Sequence, residues 1–214
     1  MPLPKALRRL TPDSIRDSPR LRSLALGAGL IPPRTMHAPE EAAALASLAA
    51  ASQVVVEIGV YEGSSALVLV QAMPPGSRLH LIDPFVDESG WALPAGWGAT
   101  ERATRRVVAR AAAAREAPRV EWHVERSQDV GRSWDRGEVD FVFIDGDHSP
   151  DAVREDWDVW HPHVRTGGHV AFHDANGRSP GPSQAVDELF HSSSPVAGWE
   201  VVQTVESLVV AKRG

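Results

Sequence analysis

Four acidic side chains stand where apolar runs of this chain stop. Glu57 lies in Val54–Ile58, just ahead of Gly59. Asp83 closes Leu79–Ile82, Asp145 closes Val139–Ile144, and Asp174 follows His169–Phe172 by way of His173. One aspartate after a strand is ordinarily a turn former. Four such ends at one edge of a parallel sheet would make a ligand site, because open parallel sheets bind ligands outside the carboxyl ends of their strands.

The loop after the first run sharpens the chemistry. Gly59-Val60-Tyr61-Glu62-Gly63 carries two glycines where a strand must turn into a helix, and glycine allows both a sharp turn and close approach of a ligand. The spacing is not the G-x-G-x-x-G of a dinucleotide pyrophosphate loop, and the lysine of a phosphate-cradling loop is missing. Glu57 would repel a phosphate but could meet an ammonium group. Asp83, about 20 residues beyond the glycines, can accept hydrogen bonds from a ribose. A nucleoside that carries an amino acid and no phosphates satisfies both conditions, as S-adenosylmethionine does. His148, three residues after Asp145, is the candidate general base, since an imidazole with a pKa near ~6.5 can take a proton from a hydroxyl at neutral pH. His161 and His163 read as structural.

From residue 53 onward the chain alternates strand and helix. Helices are expected over Pro39–Ala51, Ser64–Met73 and about Thr100–Glu116, and from a Ser149 cap to Pro162. Arg119–Val124 is a further strand, with Ser127 and Gln128 in the loop after it. Glu200–Thr204 and Ser207–Ala211 form an antiparallel hairpin. Alternation of this kind implies an α/β fold with a mostly parallel sheet and right-handed crossovers, helices on both faces. Gly167-Gly168 should end the helical stretch before the fifth strand. Residues 1–38 read as a helical or irregular N-terminal extension, and 39–214 as one domain. Phe85–Gly98, with Trp91 and Trp97 among glycines, is a candidate lid.

Composition excludes several classes. With 214 residues, 43% apolar and 23% charged, the chain is an ordinary globular one. No apolar run approaches the ~18 residues of a membrane span, and no apolar signal core follows the N-terminus, so a cytoplasmic protein is expected. The absence of cysteine removes disulfides, thiolate metal sites and a cysteine nucleophile. Net charge is −6, and the arginine clusters at 8–22 and 102–110 read as solvated helix faces, so no nucleic-acid partner is expected. A small-molecule acceptor fits this balance. Assembly with further copies of the chain is left open.

The motifs Val56–Ser65, Asp83–Phe85, Phe143–Ser149 and Gly167–Asp174 resemble those of class I S-adenosylmethionine-dependent methyltransferases, in a bacterial natural-product-type branch with an Asp-Gly-Asp-His-Ser motif. The resemblance spans about residues 50–211. It implies a Rossmann-like seven-stranded sheet with a C-terminal antiparallel hairpin, and methyl transfer to an oxygen of a secondary metabolite or sugar. Glu57 and Gly59, with Tyr61, Gly63 and Ser64 in the same loop, would lie against the methionine half of the cofactor. Asp83 would hold the ribose, Ser127 and Gln128 the adenine, and Asp145 the region of the sulfonium. The related catechol-type enzymes bind magnesium through an aspartate after strand four and an Asp-Asn pair after strand five. Asp145 and Asp174 match two of those positions, and Ala175 stands at the third. Water, Asp147, His148 or His173 would have to complete the set. The alternatives are a nucleotide-dependent oxidoreductase on a Rossmann sheet and a cofactor-binding module without catalysis.

Overall fold

The computed structural model describes residues 18–85, 101–113 and 117–214. Trp91 and Trp97, and the candidate lid around them, lie outside the described residues. Seven strands form one sheet: β1 Val54–Ile58, β2 Arg78–Ile82, β3 Arg119–His123, β4 Val139–Ile144, β5 Val164–Phe172, β6 Trp199–Val205 and β7 Leu208–Arg213. Their order is β3-β2-β1-β4-β5-β7-β6. All neighbours are parallel except β5/β7 and β6/β7, which are antiparallel. The expected Rossmann-like sheet with its terminal hairpin is therefore present. The order reverses between β1 and β4, which places the switch point beside Gly59 and Asp145.

The inner strands read as continuous apolar runs because both faces are covered. Val54, Val56 and Ile58 pack with Trp157 and Trp160 of α6 (Pro150–Trp160), while Val55 faces Leu45 of α2 (Pro39–Ala50) and Leu69 of α3 (Ser64–Ala72). Glu57 shares that second face and is fully buried in it. The remaining helices are α1 Pro19–Ala28, α4 Glu101–Ala113, α5 Ser127–Arg132 and α7 Pro180–Val186. Among the described residues no helix is long and apolar enough to cross a membrane.

Three elements differ from expectation. β5 begins at Val164 rather than after the glycines, and its pairing with β4 shifts register between Val139 and Phe141. A Cβ on Gly168 would meet the Asp140 and Arg165 carbonyls at 2.9 Å, so the glycine pair makes a bulge inside the strand instead of a stop. Ser127 and Gln128 start the short helix α5 rather than sitting in an open loop. Helix α7 had no expected counterpart.

The N-terminal segment is docked on the sheet domain. Leu26 of α1 is fully buried against Ala103 and Val107 of α4. Arg110 of α4 donates to the carbonyls of Gly27 and Leu26, at 2.8 and 2.9 Å, closing the end of α1. Arg22 reaches across to Glu62, and Arg105 lies 4.8 Å over the Trp122 ring. These three arginines thus anchor elements, where a solvated helix face was expected.

Candidate active site

The loop between β1 and α3 turns through three left-handed residues: Gly59 (φ 83°), Tyr61 (φ 50°) and Gly63 (φ 85°). Gly59 is needed for a reason its sequence context does not reveal. A Cβ there would stand 2.1 Å from the Asp145 carbonyl oxygen, so the ends of β1 and β4 cross with no room for a side chain. Gly63 leads into α3, whose first residue is Ser64, and a Cβ on it would crowd Thr104 of α4 at 3.3 Å.

Asp83 ties this loop to β2. Its Oδ2 accepts from the N–H groups of Val60 (2.9 Å) and Tyr61 (2.8 Å), and its Oδ1 accepts from Phe85 N–H (2.7 Å). The carboxylate expected to hold a ribose thus also fixes the loop backbone. Glu62, which the sequence reading passed over, is the loop's second anchor. Arg22 Nε and Nη2 each donate to it at 2.5 Å, and Arg34 adds its backbone N–H (2.7 Å) and Nη1 (3.3 Å). Arg34 Nη1 also donates to the Tyr61 hydroxyl at 2.9 Å.

Glu57 is 0% exposed. Ser65 donates to its Oε1, whereas its Oε2 is buried with no hydrogen-bond partner. Burial pushes its pKa well above the ordinary value, and the charges of Asp145 and Asp83 push the same way against the Ser65 hydrogen bond. Three carboxylates therefore converge at the switch point, and one keeps a free oxygen. A buried acceptor without a partner costs about 1–3 kcal/mol, and a cationic donor beside it would recover that.

At the end of β4, Asp145 stands between two histidines. His173 Nδ1 lies 3.0 Å from Asp145 Oδ1, and His148 Nε2 lies 3.7 Å from the same oxygen. Burial opposes the Asp145 charge, but contacts with His148 and His173 outweigh it and hold the pKa below the usual carboxylate value. The Asp145 contact is the main cause that raises the pKa of His148, whose side chain is 40% exposed. Asp174, at φ 53°, approaches His148 Nδ1 at 3.9 Å. His173 is buried against Phe143, and its Nε2 lies 3.3 Å from Glu41 Oε2. Burial would lower the His173 pKa, yet Asp145, Asp174 and Glu41 together bring it up to about 9. Glu41, one of the acids that suit the start of helix α2, also accepts from the Ser207 N–H and hydroxyl, at 2.9 and 2.6 Å. This links α2 to the β6–β7 turn. Asp147 accepts from Ser149 N–H at 2.7 Å and serves as a turn former ahead of α6.

The donors present do not fit magnesium. Asp145 and Asp174 both face the His173 imidazole, 3.0 and 3.7 Å from its Nδ1. The third position carries the buried methyl of Ala175, and the Asn176 amide donates to the Glu206 carbonyl at 2.9 Å. Among the described residues no group of three or more His, Cys, Asp or Glu side chains is arranged to hold a metal ion.

Ser127 and Gln128 both donate to Asp156 Oδ1 of α6, Gln128 at 2.8 Å. Burial raises the Asp156 pKa to about 7. Their side chains are thus fixed from behind, at the end of β3. His161 stacks on Trp157 and His163 contacts the Gly131 carbonyl at 2.9 Å, the structural roles expected of them.

A parallel sheet ending in an antiparallel hairpin, with a glycine-bearing acidic loop at its switch point, is the frame of a methyltransferase domain. Residues 56–175, just over half of the chain, match the model of the family described as "Methyltransferase domain", and the chain belongs to that family. Among solved structures it is similar to the O-methyltransferase TomG from Streptomyces achromogenes, involved in tomaymycin synthesis and solved in complex with SAM. The two are 22% identical with a TM-score of 0.60, over 97% of this chain and 94% of that one. An O-methyltransferase from Bacillus cereus in complex with SAH is 16% identical, TM-score 0.61, covering 96% and 93%. Cofactor-bound Rv0187 from MTB is 17% identical, TM-score 0.63, covering 100% and 98%.

Proposed function

We propose that this protein transfers the methyl group of S-adenosylmethionine to a hydroxyl of a small hydroxylated acceptor, a secondary metabolite or a sugar. The observation that carries this is the free, buried Oε2 of Glu57, set among Asp83 and Asp145. A ligand with an ammonium and a sulfonium satisfies that concentration of negative charge, and a nucleotide polyphosphate does not. SAM and SAH bound to proteins of this fold support the same reading.

The cofactor, when bound, supplies an electrophilic methyl carbon on sulfur. The chain's part is to hold two reactants in line and to receive a proton. Glu57 meets the ammonium group; the loop 59–63, with Ser64 at its end, lies along the methionine portion; Asp83 takes the ribose. Ser127 and Gln128, fixed by Asp156, flank the adenine. Asp145 faces the sulfonium and steadies His148. The acceptor oxygen forms the new C–O bond with its own electron pair, sulfur keeps the pair of the broken bond, and the hydroxyl proton passes to the His148 imidazole. Residues 39–214 form the catalytic domain in this reading, with 18–38 docked against its cofactor loop.

Calorimetric titration with S-adenosylmethionine tests the assignment. Micromolar-range binding that is lost in Glu57→Ala and Asp83→Ala is expected, and unchanged affinity in both variants would overturn it. Tight binding without turnover across a broad acceptor screen would favour a silent binding module.

A further inference from the structure

Residues 30–38 run from the end of α1 to the start of α2. Midway the segment is tied to the loop at 59–63. Arg34 gives its backbone N–H to Glu62 (2.7 Å), and its Nη1 to Glu62 (3.3 Å) and to the Tyr61 hydroxyl (2.9 Å). Further on, the Ala38 N–H donates to Glu41 Oε2 (2.6 Å), and that oxygen lies 3.3 Å from His173 Nε2. Between these ties Thr35, Met36 and His37 line a cavity of about 640 Å³ that Asp174 and Ser207 also line. One short segment therefore touches the cofactor loop, the cavity beside Asp174 and the acid that meets His173.

The hold on this segment is polar. Past Ile31, which packs with Leu26, no side chain up to Ala38 belongs to an apolar cluster of the described residues, and Thr35 and Met36 are exposed. A segment with so few apolar contacts opens at low free energy. His37 works against the closed path: both its ring nitrogens are shut off from water, and neither has a hydrogen-bond partner. Such a buried polar group is unfavourable. Opening the segment would rehydrate His37 and forfeit the Arg34 bonds to the loop. The two effects oppose each other and are of the same order, which is the balance of a two-state element.

We propose that residues 30–38 are a strap whose closure is coupled to the cofactor. A ligand that fixes the loop 59–63 fixes Tyr61 and Glu62, the anchors of Arg34, and so favours the closed strap over the open one. The closed strap supplies Thr35, Met36 and His37 to the cavity wall, so the methyl donor shapes that site before an acceptor enters. The identity of the ligand rests on the methyl-transfer reading.

Amide hydrogen exchange of the full chain, followed by mass spectrometry with and without saturating S-adenosylhomocysteine, provides the test. The ligand should protect peptides covering 59–63 and 30–38, the second by at least about fivefold, the lower end of coupling between two sites. In Arg34→Ala the protection should persist at 59–63 and disappear at 30–38. His37→Phe removes the unpaired imidazole. Its strap should exchange at least about fivefold more slowly than the wild type with no ligand present, the lower end of the cost of a buried unpaired group. Protection of 59–63 alone in the wild type, undiminished strap protection in Arg34→Ala, or ligand-free exchange no slower in His37→Phe would overturn the proposal. If Arg34→Ala does not fold, the wild type and His37→Phe carry the test. Protection of neither segment in the wild type would overturn the cofactor assignment itself and the coupling with it, whereas protection of 59–63 alone overturns the coupling and leaves the assignment standing.

Discussion

Removing the carboxylate of Glu62 should both destabilise the protein and weaken cofactor binding. Its side chain is 0% exposed and accepts from Arg22 twice at 2.5 Å, from Arg34 N–H at 2.7 Å and from Arg34 Nη1 at 3.3 Å. Breaking a buried pair by removing one partner costs about 3–5 kcal/mol. Arg22 and Arg34 are 16% and 25% exposed and can rehydrate in part, so Glu62→Ala belongs at the lower end, about 3 kcal/mol. For a chain of this size each kcal/mol lowers Tm by about 2–4 °C, which gives a drop of about 6–12 °C. Tyr61 and Gly63, on either side, are both left-handed, and Arg34 also holds the Tyr61 hydroxyl. Loss of the anchor therefore frees the loop backbone that, in the proposed function, lies along the cofactor. Urea unfolding gives the stability change, and calorimetry on the folded variant gives the cofactor affinity, expected to fall at least about tenfold for a loop that must be ordered on binding. A stability loss below about 1 kcal/mol, typical of an exposed pair, would refute the burial argument. Unchanged affinity in a destabilised variant would refute the link from Glu62 to the cofactor loop.

The remaining predictions concern protons and metal. Asp156 binds its proton more tightly folded than unfolded, so the stability it contributes is full below about pH 4 and is lost as pH rises through about 7. Asp156→Asn should remove that dependence, and its urea midpoint should gain on the wild type between about pH 5 and about pH 8; parallel pH profiles would contradict this. His148→Ala should lower kcat by about 10²–10⁴-fold while leaving calorimetric affinity for S-adenosylmethionine intact, and an equal loss of both would make His148 a binding residue instead. Because His148 must be neutral to accept a proton, wild-type kcat should fall as pH drops through a pKa held above its ordinary 6.5, chiefly by Asp145. Exhaustive chelation should leave activity unchanged, and restoration by added magnesium after a chelator-induced loss would show that Asp145 and Asp174 recruit a metal despite Ala175.

The sheet and the identity of its active edge were legible because they follow from local pattern. Short β-branched runs ending in Glu57-Ile58-Gly59, Asp83, Asp145 and Asp174 specify both the strands and the edge at which they gather. What those side chains contact was legible only in part. Asp83 was read as a ribose ligand, but its two oxygens also take three backbone N–H groups, a geometry that depends on the loop's left-handed residues. Gly59 was read as a sharp turn with room for a ligand, whereas the nearest group to its missing Cβ is the Asp145 carbonyl, 86 positions further along the chain. The partners of Glu41, Glu62 and Asp156 went unread because each acts across a long sequence separation, with Ser207, Arg22 and Ser127. A buried acid on an otherwise amphipathic helix, as at Glu41 and Asp156, is the signal that could have found two of them. The Gly167-Gly168 pair misled because glycine marks a bulge within a strand as readily as the end of a helix.

In the proposed function Glu57 gathers a cationic nucleoside at the switch point, and calorimetry of Glu57→Gln against the wild type is the direct test. The variant keeps the shape and the Ser65 contact but removes the negative charge. S-adenosylmethionine affinity should fall by at least about tenfold, the 1.4 kcal/mol scale of one lost charge-assisted hydrogen bond. Equal affinity of wild type and variant, in proteins with matching thermal midpoints, would contradict it.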